Sequence, residues 1–456
     1  MAALHCIASQ ANMEGNNNNA GCYTITANLV DTFAGIDGSP AQLRIRKNVS
    51  ISVCRKTGTI LSIESCNSRK SVNELDPDSR NFFTPGFVDT HVHAPQYSFT
   101  GSATDKPLMG PEGWLESYTF PAERSMANNA KAKAVYNKLV EKLLRSGTTT
   151  ALYFGTIDNE PNEILAQVCA ARGQRACIGK VCMDINSPHD YCETTSQSLE
   201  ATKKFIDFVK STDSFENGML LPVITPRFIP TCSIALLQGL GKLAKSENVL
   251  VQSHLSESND EVAFSAALHP SFKSDAELFD SCGLLENSVM AHCVHCTDED
   301  LVLMKKRGCS IAHCPLSNFF FANGILDARR IQRSGVTLGL GTDVAGGYAP
   351  TMLSAMRNAV IASLALQKRK QNNVTWVDAL HLATRGGADA LRMPQIGRFD
   401  VGMKFDAILW NPAPTVDVFE GDTFATSVEK TLNIGDDRNI AGVWVNGIQR
   451  ISVSAT

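Results

Sequence analysis

A TIM-like (β/α)8 barrel with a small β-sandwich beside it, built from both ends of the chain, is the α/β architecture this sequence predicts. Three observations carry it. Eight short apolar runs recur between residues 81 and 395, helical periodicity separates several of them, and further alternating or β-branched runs lie outside, at 21–80 and 396–456. Eight strands with intervening helices suffice to close a parallel barrel, so the outer strands must pair elsewhere.

Taken in order, residues 1–20, with the polar tract Asn16 to Asn19, read as a disordered leader. Runs at 23–30 and 48–53 open the sandwich. Barrel strands are expected at 87–91, 148–154, 176–182, 220–226, 249–254, 289–293, 310–313 and 337–340. Between the first two, Val135, Leu139, Leu143 and Leu144 mark one helix face, Lys138, Glu141, Lys142 and Arg145 the other, and Ser146-Gly147 the stop. Thr297 and the acids after it resemble a capping start, and Gly308 a stop; a further helix is expected at about 351–366. Runs at 405–410 and 441–447 return the chain to the sandwich. Strand-then-helix units of this kind place functional groups at the carboxyl ends of the strands.

Composition narrows the functional classes. Of the 456 residues 19% are charged, below the usual quarter, which fits a large buried core. A net charge of -4 leaves no basic footprint for nucleic acid. Without an apolar run of membrane-spanning length or a signal-peptide pattern, a cytoplasmic location is expected. Fourteen irregularly spaced cysteines suit free thiols in a reducing compartment. Cys293-Val294-His295-Cys296 is formally a C-x-x-C pair, but no second pair accompanies it.

The chemistry lies where the strands stop. His91 and His93 end the run from Pro85, and strand residues two apart project to one side. Two such histidines on a surface strand can arise by chance. Three later runs, however, close on His254, His292 and His313, and a fourth on Asp343. Imidazoles and a carboxylate delivered repeatedly to buried strand ends need a partner, and a shared metal ion would supply one.

Pro85 to His93, the His254 and His292 strand ends and Gly341-Thr342-Asp343 together resemble the amidohydrolase superfamily across nearly the whole chain. Within it, His93 to Phe99, Thr119 to Glu123, Thr225 to Phe228, Ser253 to Glu257 and Gly339 to Gly347 are similar to the guanine deaminase family, in the expected order. The resemblance implies a (β/α)8 barrel, one Zn2+ per subunit, a homodimer, and hydrolysis of guanine to xanthine and ammonia. It implies zinc ligation by His91, His93, His254 and Asp343, with His292 either completing the set or orienting the water. Glu257, three residues after His254, would shuttle protons, against a plainer reading as a solvated helix-start glutamate. Asp343 could take a proton from the attacking water as well as bind metal.

The purine would be read by the loop His93-Ala94-Pro95-Gln96 and by Arg227 and Phe228, with His254, Glu257 and Asp343 also at the base. Arg227's planar fork suits a carbonyl and N7 edge, Gln96 offers a donor and an acceptor, and Phe228 can pack on the ring. The chain departs from the family at Pro95, where serine is frequent, and at Leu316, where a polar residue is common. His313 reads as a structural or pocket-wall residue. His5, His189, His269, His295 and His381 match no ligand position. The run 220–227 has no lysine to bridge two metals, so one ion is expected. Two rival readings are a hydrolase of the same superfamily acting on a pyrimidine, triazine or adenine compound, and a catalytically dead barrel used as a scaffold.

Overall fold

Parallel strands covered on both faces must be buried throughout. Every residue of β5 (Phe87–His93), β6 (Thr148–Phe154) and β7 (Arg175–Cys182) meets that condition in the computed structural model. Residues 21–35, 38–66, 80–103, 105–110, 112–322, 324–366 and 373–452 are described; the leader expected at 1–20 lies outside them. With β8 (Leu220–Pro226), β9 (Leu250–Leu255), β10 (Ser288–His292), β11 (Ser310–His313) and β12 (Thr337–Leu340), these strands form one eight-stranded parallel sheet in sequence order. The sheet is brought round on itself where β12 meets β5. There Thr90 Oγ1 donates to the Leu340 carbonyl at 2.8 Å, and the Asp343 N–H to the His91 carbonyl at 2.9 Å.

Helices fill the crossovers where the apolar periodicity placed them. Asn129–Arg145 is capped by Asn128, whose side chain accepts the Lys131 N–H, and buries Leu139, Leu143 and Leu144. It stops at Gly147, whose φ of 86° is left-handed and whose missing Cβ would meet Ile408 Cδ1 at 2.5 Å. Asp298–Arg307 has the expected Thr297 capping box and a left-handed Gly308. Met352–Ala365 follows β12. Among the described residues no helix is long and apolar enough to cross a membrane.

The chain ends meet as expected, in a second sheet of seven strands. β1 (Cys22–Phe33), β2 (Gln42–Cys54) and β3 (Ile60–Ser65) form a meander, and β13 (Ala407–Trp410), β14 (Ile440–Val445) and β15 (Ile448–Ser452) another. β4 (Phe82–Pro85) joins them, pairing parallel to β1 and antiparallel to β13. The tie between sheet and barrel is buried. Arg175 at the start of β7 pairs with Asp406 at 3.1 Å, both at most 2% exposed, and the Trp410 ring lies 6.0 Å from Phe87.

Candidate active site

His91 and His93 end β5 on one face, His254 comes from β9, His292 closes β10, and Asp343 follows β12. His292 (φ 70°) and Asp343 (φ 50°) both take left-handed backbone, so each chain turns sharply just where its functional side chain is presented. His91 Nε2 lies 3.2 Å from Asp343 Oδ1, and His93 Nε2 lies 3.5 Å from the same oxygen. His93 and His254 approach through their Nε2 atoms at 3.0 Å. His292 Nε2 is 3.6 Å from Glu257 Oε1 and 3.9 Å from Asp343 Oδ2. The Phe154 ring packs against three of the imidazoles, with centroids 4.7 Å from His93 and His254 and 4.9 Å from His91.

These residues fit a metal ion. His91 Nε2 and His292 Nε2 are buried without a hydrogen-bond partner, a condition that costs on the order of 1–3 kcal/mol per atom if nothing satisfies it. Their surroundings keep the lone pairs on the cavity side. His254 Nδ1–H donates to the Arg227 carbonyl at 2.7 Å and His292 Nδ1–H to Asn318 Oδ1 at 2.9 Å, leaving both Nε2 atoms as acceptors. Burial pulls His91, His93 and His254 well below the ordinary histidine pKa and lowers His292, so all four are neutral, as metal ligands must be. Ligand atoms of His91, His254 and His292, and of His91, His93 and Asp343, fall within 4.8 Å of one another.

Beside the cluster is a cavity lined by His93, Gln96, Arg227, Phe228, His254, Glu257, His292 and Asp343, with Leu108, Trp114, Leu115 and Phe321 as apolar wall. Glu257 is 5% exposed. Burial first, then the Asp343 charge, holds its carboxyl well above the usual glutamate range. It is therefore not a solvated helix-start residue. Ala94 and Pro95 are buried in a 3-10 turn behind the cavity and do not line it.

Arg227 does not lie open to the cavity as a free fork. Its Nη1 and Nη2 donate to the two oxygens of Glu123 at 2.8 and 3.0 Å, and both residues are buried. The same carboxylate accepts from Gln96 Nε2 at 3.2 Å and from the Tyr191 hydroxyl at 3.1 Å. The Ala345 N–H donates to Gln96 Oε1 at 3.3 Å. Glu123 thus holds both proposed recognition residues by one side chain, a role the sequence reading did not assign. Its place in the Thr119 to Glu123 match was the available signal. Asn318, Phe154 and Asp89 were also missed. Asp89 accepts from the Thr342 N–H at 2.9 Å, Thr342 Oγ1 at 2.6 Å and the His91 N–H at 3.2 Å, fastening the Asp343 turn to β5.

His313 is buried, its ring nitrogens have no hydrogen-bond partner among the described residues, and it lies outside the candidate metal cluster and the cavity lining. His381 meets Thr32 and His295 the Ala322 carbonyl, away from the site. Cys293 and Cys296 are buried and not bridged.

Residues 82–449 match the model of the amidohydrolase family. Guanine deaminase of Homo sapiens is 42% identical over 408 residues, covering 87% of this chain and 88% of the relative. Guanine deaminase of Dictyostelium discoideum is 38% identical over 428 residues, covering 92% and 93%. A crystal structure of guanine deaminase from C. acetobutylicum with bound guanine in the active site superimposes with a TM-score of 0.84 at 32% identity, covering 94% of this chain and 99% of that one.

Proposed function

Since the chain belongs to the amidohydrolase family, we propose that it is a guanine deaminase, converting guanine and water to xanthine and ammonia with one Zn2+ per subunit. The observation that carries this reading is the complete set of four neutral imidazoles and Asp343 beside a cavity into which Glu257 projects. Hydrolysis of the C2–N bond of a cyclic amidine is the activity shared by the relatives' names. With every proposed ligand and Glu257 in place, the scaffold reading loses its ground.

His91, His93, His254 and Asp343 would hold the ion, with His292 as a further ligand or an orienting group. When bound, zinc lowers the pKa of a coordinated water toward neutrality. The protein's own groups do the rest. Glu257, whose carboxyl binds protons far more readily than an exposed one, moves one proton of the attacking water to the ring nitrogen beside C2 and passes the other, from the new C2 hydroxyl, to the departing amine. Asp343 offers a second acceptor for that proton. Arg227 retains N–H donors beyond those taken by Glu123, and Gln96 a second amide hydrogen; these face the base edge, while Phe228 packs on its plane. The apolar wall of Leu108, Trp114 and Phe321 excludes bulk water. The reading includes a homodimer and a cytoplasmic location, checked by sedimentation and by cell fractionation.

The test is direct. Purified protein is expected to carry about one zinc per chain and to consume guanine with release of ammonia. Glu257→Gln should keep the zinc and lose at least about 100-fold in kcat. A zinc-loaded protein inert toward guanine would sink the substrate assignment, and full activity in Glu257→Gln the proton shuttle.

A further inference from the structure

The turn that carries Glu257 is gripped from behind by two carboxyl groups with no part in the scheme above. Ser256, just after β9, has a left-handed φ of 48°, and Glu257 follows it into the cavity wall. The Glu257 N–H donates to Glu261 Oε2 at 2.9 Å. Ser256 Oγ donates to Asp275 Oδ2 at 3.1 Å. Glu261 and Asp275 are 1% and 6% exposed.

Glu261 Oε1 is buried with no hydrogen-bond partner, so Oε2 makes the contact that ties this side chain to the turn. Burial first, then the Asp275 and Glu257 charges, holds the Glu261 carboxyl well above its ordinary range, and burial raises Asp275 as well.

We propose that Glu261 is a positioning residue for Glu257, holding its N–H on Oε2. Asp275 in turn holds Ser256, so the turn is fixed at two successive residues and the Glu257 carboxyl is aimed into the cavity. The inference rests on the role given to Glu257 in the proposed function.

A glutamine at 261 keeps an oxygen at the same reach to accept the Glu257 N–H, and an alanine does not. Glu261→Gln is therefore expected to keep kcat within about threefold of the parent, and Glu261→Ala to lose about 10- to 100-fold in kcat with KM and zinc content little changed. In a Glu257→Gln background Glu261→Ala should cost nothing further. Should Glu261→Ala fail to fold, Glu261→Asp, one methylene short of the Glu257 N–H, takes its place with the same expected loss. Amide hydrogen exchange gives a readout independent of turnover: protection of the Glu257 amide should survive in Glu261→Gln and collapse in Glu261→Ala or Glu261→Asp. The inference is overturned if Glu261→Gln is as impaired as Glu261→Ala, if the loss persists undiminished in the Glu257→Gln background, or if Glu257 protection is indifferent to position 261. Wild-type protein inert on guanine, with protection patterns as expected, would instead overturn the proposed function and leave the positioning intact.

Discussion

At the scale of single residues the site is held together by buried charges that touch none of the clustered imidazole side chains. Glu123 neutralises Arg227 in full burial, and removing one member of such a pair strands the other. Glu123→Gln is expected to destabilise the protein by about 3–5 kcal/mol in urea titration and to raise KM, because Arg227 and Gln96 lose their common anchor. Asp89 poses a different case. Burial outweighs its three hydrogen bonds and lifts its carboxyl to about 7. A carboxyl raised in the folded state binds more protons there than when unfolded, so stability falls as pH rises between about 4 and about 7, by a few kcal/mol. Denaturation at fixed saturating zinc should show that slope, and Asp89→Asn should flatten it. The histidines were legible in the sequence because a strand's two-residue period and its end position fix where a side chain points. Glu123 was not legible as an anchor. Its partners Gln96 and Arg227 lie 27 and 104 residues away along the chain, and no local pattern encodes such a meeting.

Elements follow the sequence closely where burial dictates them and depart where the cavity does. The strand expected at 176–182 is Arg175–Cys182 and that at 249–254 is Leu250–Leu255, because a fully buried run can form little else. Three π-helical turns, Leu115–Thr119, Asn318–Ala322 and Leu382–Gly386, had no such signal. Two of them supply cavity wall, Leu115 and Phe321, and the second also supplies Asn318 beneath His292. A widened turn displaces side chains from ordinary helical spacing, which is why periodicity overlooks it. The stop at Gly147 was read correctly, and it yields a clean test. Gly147→Ala forces a left-handed alanine toward Ile408 and is expected to cost about 1–2 kcal/mol in urea titration, with zinc content and KM unchanged.

For the whole molecule the decisive feature is the seven-stranded sheet. Its existence could be read from surplus strands; its strand order could not, since β4 lies between β1 and β13 from opposite ends of the chain. Arg175–Asp406 ties that sheet to the barrel in full burial. Arg175→Met leaves Asp406 without its counter-charge and is expected to lower stability by about 3–5 kcal/mol, measured by chemical denaturation. Because Asp406 also receives the Asn446 N–H at 2.6 Å, hydrogen exchange should show the loss first in β13 and β14.

That strand order also sets a schedule for synthesis. β4 can pair with β1 once both have left the ribosome, but its other edge must wait for β13, more than three hundred residues later. Throughout that interval an open edge of Phe82 and Phe83 is presented to whatever other chains are near. The cluster of four imidazoles is completed by Asp343, which is made before β13 covers that edge. The nascent protein can therefore hold its full histidine and aspartate cluster while still exposed to strand-to-strand association, and its yield in cells should depend more on chaperone supply than on zinc.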